Sequence, residues 1–309
     1  MEKRTIKPAT LKNSITETFQ FIKSNFWNLI GFSALYLGSI IVLCLVTMVG
    51  FIGAGTFYDF NNPQVGLGAT IFVIASISLF VLAILILVMM LSCIYLGAMA
   101  YAIEKFNVGE KGTVKNMLKA GIMRYPNIFT KMVSVIGVGL VLSIPLIIIV
   151  VLNIKNFSSM EFFGMSSLFN AVEFFGIYFM TILLFAALSI CCMFVFYIAA
   201  FRKHSIIDTF KYNFKIMGKK LHWLKFIGYS LLFSIGFSIA LQIIIVPLIL
   251  IVGLLSAAAA VSSILIVFSI AILVIGILVS IAALTFYLVC ASSFEMMTFS
   301  LMEKETFIV

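Results

Sequence analysis

From Lys225 to Glu295 the chain runs without one charged side chain. No other feature restricts the fold as tightly. A helix needs roughly 20 apolar residues to cross a hydrocarbon layer about 30 Å thick, so this run holds two crossings. A third is arithmetically available. The small residues of Gly253–Ser263, GLLSAAAAVSS, offer the best place for a tight turn, and two spans are the preferred division. Phe60–Ile103 and Phe174–Phe201 are also free of charge. With 63% apolar and only 10% charged residues among 309, the composition is that of a membrane protein rather than a soluble domain.

Taken in order, the apolar runs number six. The first span is read from Leu29 to about Phe51, with Gly50, Gly53 and Gly55 ending it and the turn-rich YDFNNP of 58–63 following. The second, even trimmed to Ala69–Ile103, exceeds one crossing, and FVLAILILVMM offers no turn signal near its middle. One long helix that tilts or protrudes is expected there. A third span runs from Ile128 to Leu152, an opposite-side loop from Asn153 to Asn170, and a fourth span from Phe174 to Phe201. The loop contains a glycosylation sequon, Asn156-Phe157-Ser158, of low specificity. The last run supplies spans five and six, and the final MEKETFIV is read as a polar tail.

Between these runs lie amphipathic islands. In Arg202–Lys225, RKHSIIDTFKYNFKIMGKKLHWLK, the apolar positions Ile206, Phe210, Phe214 and Met217 recur at spacings of four, four and three. That is the stripe of a helix. Leu11, Ile15, Phe19 and Ile22 repeat the spacing, as do Val114, Leu118, Ile122 and Tyr125. Lysines accompany each stripe: Lys12 and Lys23; Lys115 and Lys119; Lys211, Lys215, Lys219 and Lys220. A helix so divided lies in a membrane surface, apolar side down and lysines toward phosphates. The first helix is expected from about Thr10 to Ser24, with Phe26 and Trp27 at the interface, and Pro126 is expected to close the second. Each island opens an apolar run, so the 1–309 membrane domain reads as three pseudo-repeats, 10–103, 112–203 and 204–303. Each consists of a surface helix, a span, an outer loop and a long span.

The basic residues then orient the chain. With six spans, one side receives the N-terminal segment, the 104–131 connector, the 202–225 island and the C-terminus. Together these hold 19 of the 20 Lys and Arg, and only Lys155 lies opposite. The positive-inside rule places that side, with both termini, in the cytoplasm. The fold class expected is therefore all-α and integral to the membrane, with six transmembrane helices and three cytoplasmic interfacial helices. The net charge of +9 points to the anionic inner leaflet as partner. Nucleic acid is not an expected partner, since no base-reading fold accompanies the charge.

Catalytic signatures are missing. There is no HExxH, GxSxG or GxxxxGK, and no catalytic, cofactor-binding or metal-binding residue is assigned. His204 and His222, without local metal-ligand spacing, are read as surface groups. The five cysteines sit inside apolar runs without metal or redox spacing and are read as inert packing residues. Glu173 and Glu295 lie at span ends, where snorkelling accounts for them. Pro145, Gln242 and Pro247 are the candidates for a kink or a polar contact inside the bundle. The segment 1–25 is charged and amphipathic, so no cleavable signal peptide is expected.

Ser205–Gly236, SIIDTFKYNFKIMGKKLHWLKFIGYSLLFSIG, and more loosely Thr18–Trp27, TFQFIKSNFW, carry a further pattern. They resemble the segment that opens a span in the membrane domain attached to some glycerophosphodiester phosphodiesterases, and in YciC-like and DUF975-like bacterial proteins. The resemblance covers two short stretches and implies a multi-pass protein of the bacterial inner (cytoplasmic) membrane with no assigned activity. The function expected is non-enzymatic: handling, transporting or sensing lipid or an amphiphilic substrate. The alternative is an immunity or accessory protein that binds a membrane-active peptide or a transporter partner, such as the ATPase of an ABC system.

Overall fold

The computed structural model of the protein describes residues 8–57, 67–158, 165–259 and 263–307. Among them the chain is helical with no strand. The helices are α1 Leu11–Phe57, α2 Leu67–Asn107, α3 Val114–Ser158, α4 Met165–Cys191, α5 Val195–Phe201, α6 Ile206–Gly218, α7 His222–Ala259 and α8 Ser263–Phe307. Five segments of the described chain are long and apolar enough to cross a membrane: Leu11–Gly50, Ala75–Asn107, Val114–Pro145, Phe179–Phe201 and Leu278–Phe307. The protein is membrane-embedded and all-helical.

The long second run is one helix of 41 residues, as its lack of turn signals requires. Elsewhere helices run further than the local signals indicate. α1 continues past Gly50, Gly53 and Gly55 to Phe57. A glycine costs a helix only about 1 kcal/mol relative to alanine, less than an unpaired backbone group costs in hydrocarbon. Pro126 does not close a helix either. It lies inside α3, which also passes through Pro145, while α7 passes through Pro247. One missing backbone donor is a local loss that long flanking helices absorb. The expected loop at 153–170 is also shorter, because α3 extends to Ser158 and α4 begins at Met165. The 58–63 turn lies outside the described residues.

The first surface helix and first span form a single helix, α1, with one non-helical residue at the expected junction. Asn25 adopts φ −119° and ψ 15°. Its amide donates to the Phe21 carbonyl at 3.3 Å and to Ser24 Oγ at 2.9 Å. Its Oδ1 accepts the Gly112 N–H at 3.3 Å. A side chain inserted into the backbone ladder is a standard cause of a kink.

The chain divides into two compact units, Met1–Tyr125 with Leu224–Val309, and Pro126–Trp223. In the first, α1 packs chiefly on α8 and α2, and α2 on α8. Most of its buried residues fall in 9–33, 93–106 and 285–306, with Met117 and Phe226 beside them. The Tyr95 hydroxyl joins three of these helices, meeting Ser33 at 3.0 Å and Ser292 at 2.9 Å, while its ring stacks on Phe32. Nearby, Tyr36 pairs with Ser92 at 3.0 Å. Phe233 and Phe237 of α7 lie against Phe294, Phe286 and Tyr287 of α8.

The C-terminal end of α8 is not a polar tail. Glu303 and Glu305 are buried there, and Glu305 accepts the Ala9 N–H at 3.1 Å. Lys304 donates to Asn107 Oδ1 at 3.0 Å. Glu295 is half-buried and has a partner within the protein.

In the second unit, Val135 of α3 packs with Cys192 and Val195, flanked by Leu188, Phe196 and Phe210. In both units the middles of the spans are turned outward, with Val46, Leu82, Leu140, Phe179 and Leu278 exposed. Lipid is the solvent that suits such surfaces.

Candidate functional site

The three lysine-bearing stripes define the site, and in each the stripe is on the outside. On α1, Ile15 and Phe19 are 47% and 69% exposed; Leu11 and Ile22 are half-buried. On α3, Leu118 and Ile122 are exposed, between half-buried Val114 and Tyr125. On α6, Ile206 and Phe214 are exposed, while Phe210 and Met217 are half-buried. Lys12, Lys23, Lys115, Lys119, Lys211, Lys215 and Lys220 are all exposed, and Lys219 is half-buried. Trp27, beside the first stripe, is 80% exposed. Soluble amphipathic helices bury the apolar stripe; these do the reverse.

What they bury is a third face that mixes polar residues with a few large apolar ones. α1 turns Ser14, Thr18, Phe21 and Asn25 into the protein, at spacings of four, three and four. α3 turns in Met117 and Gly121. At Gly121 an added Cβ would fall on the backbone carbonyl of Ile94, and at Gly97 it would lie 3.3 Å from Gly121 Cα. α2 and α3 therefore cross backbone to backbone, next to the paired contacts of Arg124 with Glu104 at 2.5 and 3.3 Å.

α6 buries Thr209, Asn213 and Ile216. Its first turn is capped by Ser205 Oγ, which accepts the Asp208 N–H at 3.1 Å and donates to Asp208 Oδ2 at 2.6 Å. At its other end Lys220 and Leu221 both take left-handed backbone conformations, with φ 49° and 54°. That turn carries His222 into the protein, where it is fully buried, rather than to the surface. His204 lies against the Tyr212 ring.

Asn213 has a further role. α4 stops at Cys191 and α5 starts at Val195, so the fourth apolar run is broken by three residues. Asn213 Oδ1 accepts the Phe194 N–H at 3.0 Å, and its Nδ2 donates to the Cys191 carbonyl at 2.6 Å. The far end of α5 is held from α3: Asn127 Nδ2 donates to the carbonyls of Ala199 and Arg202, at 2.6 and 3.0 Å. Asn127 Oδ1 accepts from buried Lys131 at 2.5 Å. The stronger lysine-bearing stripe masks these residues in the sequence, although Thr209, Asn213 and Ile216 carry a helical spacing of their own.

Pro145, Gln242 and Pro247 are exposed positions within α3 and α7. No group of three or more His, Cys, Asp or Glu able to hold a metal occurs among the described residues. The free cysteines are Cys44 and Cys191, exposed, and Cys93, Cys192 and Cys290, buried. No protein-family model, curated protein or solved structure matches the chain.

Proposed function

We propose that the chain is a six-span protein of a bacterial cytoplasmic membrane, with α7 as its fifth span, α8 as its sixth and both termini cytoplasmic. It handles or senses lipid without catalysing a reaction. One observation carries this reading: three lysine-bearing helices present an apolar stripe outward and bury a neighbouring face instead. Only a medium that is apolar beside phosphate satisfies such a surface, and the anionic inner leaflet is that medium. The same pattern recurring at 11–22, 114–125 and 206–217 supports the threefold repeat. The distribution of basic residues supports the orientation.

The test is the depth of the stripes in a bilayer. Spin labels in place of Phe19, Ile122 and Phe214, one at a time in the full chain, are reconstituted in vesicles with and without phosphatidylglycerol. With the anionic lipid all three labels should meet dissolved oxygen and be shielded from a water-soluble nickel chelate. Labels that meet the chelate as freely as an aqueous loop does would refute the reading.

A further inference from the structure

In an unbroken helix the Phe194 N–H would bond the Ile190 carbonyl, and the Cys191 carbonyl would accept the Val195 N–H. At the α4–α5 break both partners are lost. The Ile190 carbonyl takes the Met193 N–H at 3.2 Å, and the Val195 N–H goes to the Cys192 carbonyl at 3.0 Å. Asn213 replaces both partners with one side chain, its oxygen serving Phe194 and its amide serving Cys191. It is fully buried. Broken backbone in a span persists only where something satisfies it, and here that something belongs to α6. A neighbouring face of the same helix exposes Ile207 and Phe214 beside Lys211 and Lys215. A helix of 13 residues, capped by Ser205, is short and stiff enough to move as one piece.

We propose that α6 is a lipid-operated latch: engagement of its exposed face by an anionic bilayer holds Asn213 in the α4–α5 break, and disengagement opens the break. This rests on the interfacial reading above. Cys192, in the break and only 5% exposed, is the reporter, because reagents reach such a thiol through local opening. The experiment uses the full chain with Cys44, Cys93, Cys191 and Cys290 replaced by alanine, in nanodiscs of phosphatidylcholine alone or with phosphatidylglycerol. Maleimide labelling of Cys192 is timed in both. In parallel, Phe214→Trp, with Trp27 and Trp223 changed to Phe, reports insertion of α6 by quenching from brominated lipid.

Net hydrogen bonds each shift an equilibrium several-fold, so loss of two raises the open population about tenfold. The expected result is labelling about tenfold slower with the anionic lipid. Asn213→Ala should label fast in both discs while α6 stays inserted. Asn213→Asp, which keeps the acceptor and loses the donor, should fall between and serves if the alanine variant does not assemble. Equal labelling in the two discs, with the tryptophan at position 214 quenched only by the anionic mixture, overturns the latch and leaves the interfacial reading standing. Wild-type labelling rates in either Asn213 variant overturn it too. A tryptophan quenched in neither disc overturns the interfacial reading itself.

Discussion

Gly121→Ala should loosen the crossing of α2 and α3, although alanine is the better helix former. The added Cβ would fall on the Ile94 carbonyl oxygen, 3.0 Å from Ile94 Cγ2 and 3.2 Å from the carbonyl carbon. Two of these obstacles are backbone of a long helix, so no rotamer change relieves the clash. Overpacking of this kind costs typically about 1–3 kcal/mol, and a rigid obstacle puts the value toward the upper end. The gain in helix propensity offsets about 1 kcal/mol, leaving a net loss of about 1–2 kcal/mol. Separation of the helices would also stretch the Arg124–Glu104 pair; it is partly exposed and adds under about 1 kcal/mol. Gly38, on α1 with nothing within 4 Å of an added Cβ, is the control. It should gain from alanine, by about 0.5–1 kcal/mol. In detergent, thermal unfolding followed by size-exclusion of the surviving monodisperse protein gives the midpoint of each variant. At about 2–4 °C per kcal/mol, Gly121→Ala should melt several degrees lower and Gly38→Ala no lower than wild type. Equal midpoints for wild type and Gly121→Ala would refute the backbone crossing.

Three further outcomes are expected. Tyr95→Phe removes the hydroxyl shared by Ser33 and Ser292 and should lower stability by about 1 kcal/mol, the scale of hydrogen bonds between membrane helices; a melt unchanged from wild type would show that the bridge contributes nothing. Ser205→Ala removes the cap of α6, worth about 1 kcal/mol, so the first-turn amides of α6 should exchange faster in hydrogen–deuterium measurements while those of α8 keep their rate. Reporter fusions at residues 60, 160 and 257 should read outside and one after Val309 inside; a C-terminal reporter reading outside would sink the six-span topology and remove the third unit from the repeat.

The helices and the stripes were legible because both signals are local. A long charge-free run has few options in water, and spacings of four, four and three need no tertiary partner to be recognised. The second run illustrates this, since a missing turn signal was enough to read α2 as one helix. Misreadings occurred where a distant residue decided the outcome. The break at 192–194 has no glycine or proline to announce it and is stabilised by Asn213, which belongs to another helix. Pro126 looked like a stop because proline is one in isolation, yet α3 continues through it. His222 looked like a surface group among lysines until two left-handed residues turned the chain inward. The end of α8 looked like a tail because Glu303, Lys304 and Glu305 are charged. Their partners include Asn107 and the Ala9 amide, which no reading of 303–305 by itself can supply.

These misreadings have a common physical source: the protein uses two solvents, and its buried faces follow a different rule in each. Through the spans, the exposed large side chains are chiefly Val, Leu, Ile and Phe, and lipid rather than a protein core covers them. At the basic end, buried positions include Ser14, Glu17, Thr18, Asn25, Ser293, Thr298, Glu303 and Glu305, so much of the close-packed interior there is polar. Periodicity locates a helix in either zone. It cannot tell which face turns inward, because the contrast between interior and surroundings reverses at the interface. On the proposed reading, the stripes of α1, α3 and α6 lie at that reversal. One face meets lipid and a neighbouring face meets protein, and the lysines flank the lipid-facing stripe. A latch that senses the bilayer belongs at this level, where α6 touches the lipid with Phe214 and the α4–α5 break with Asn213 from adjacent positions of one helix.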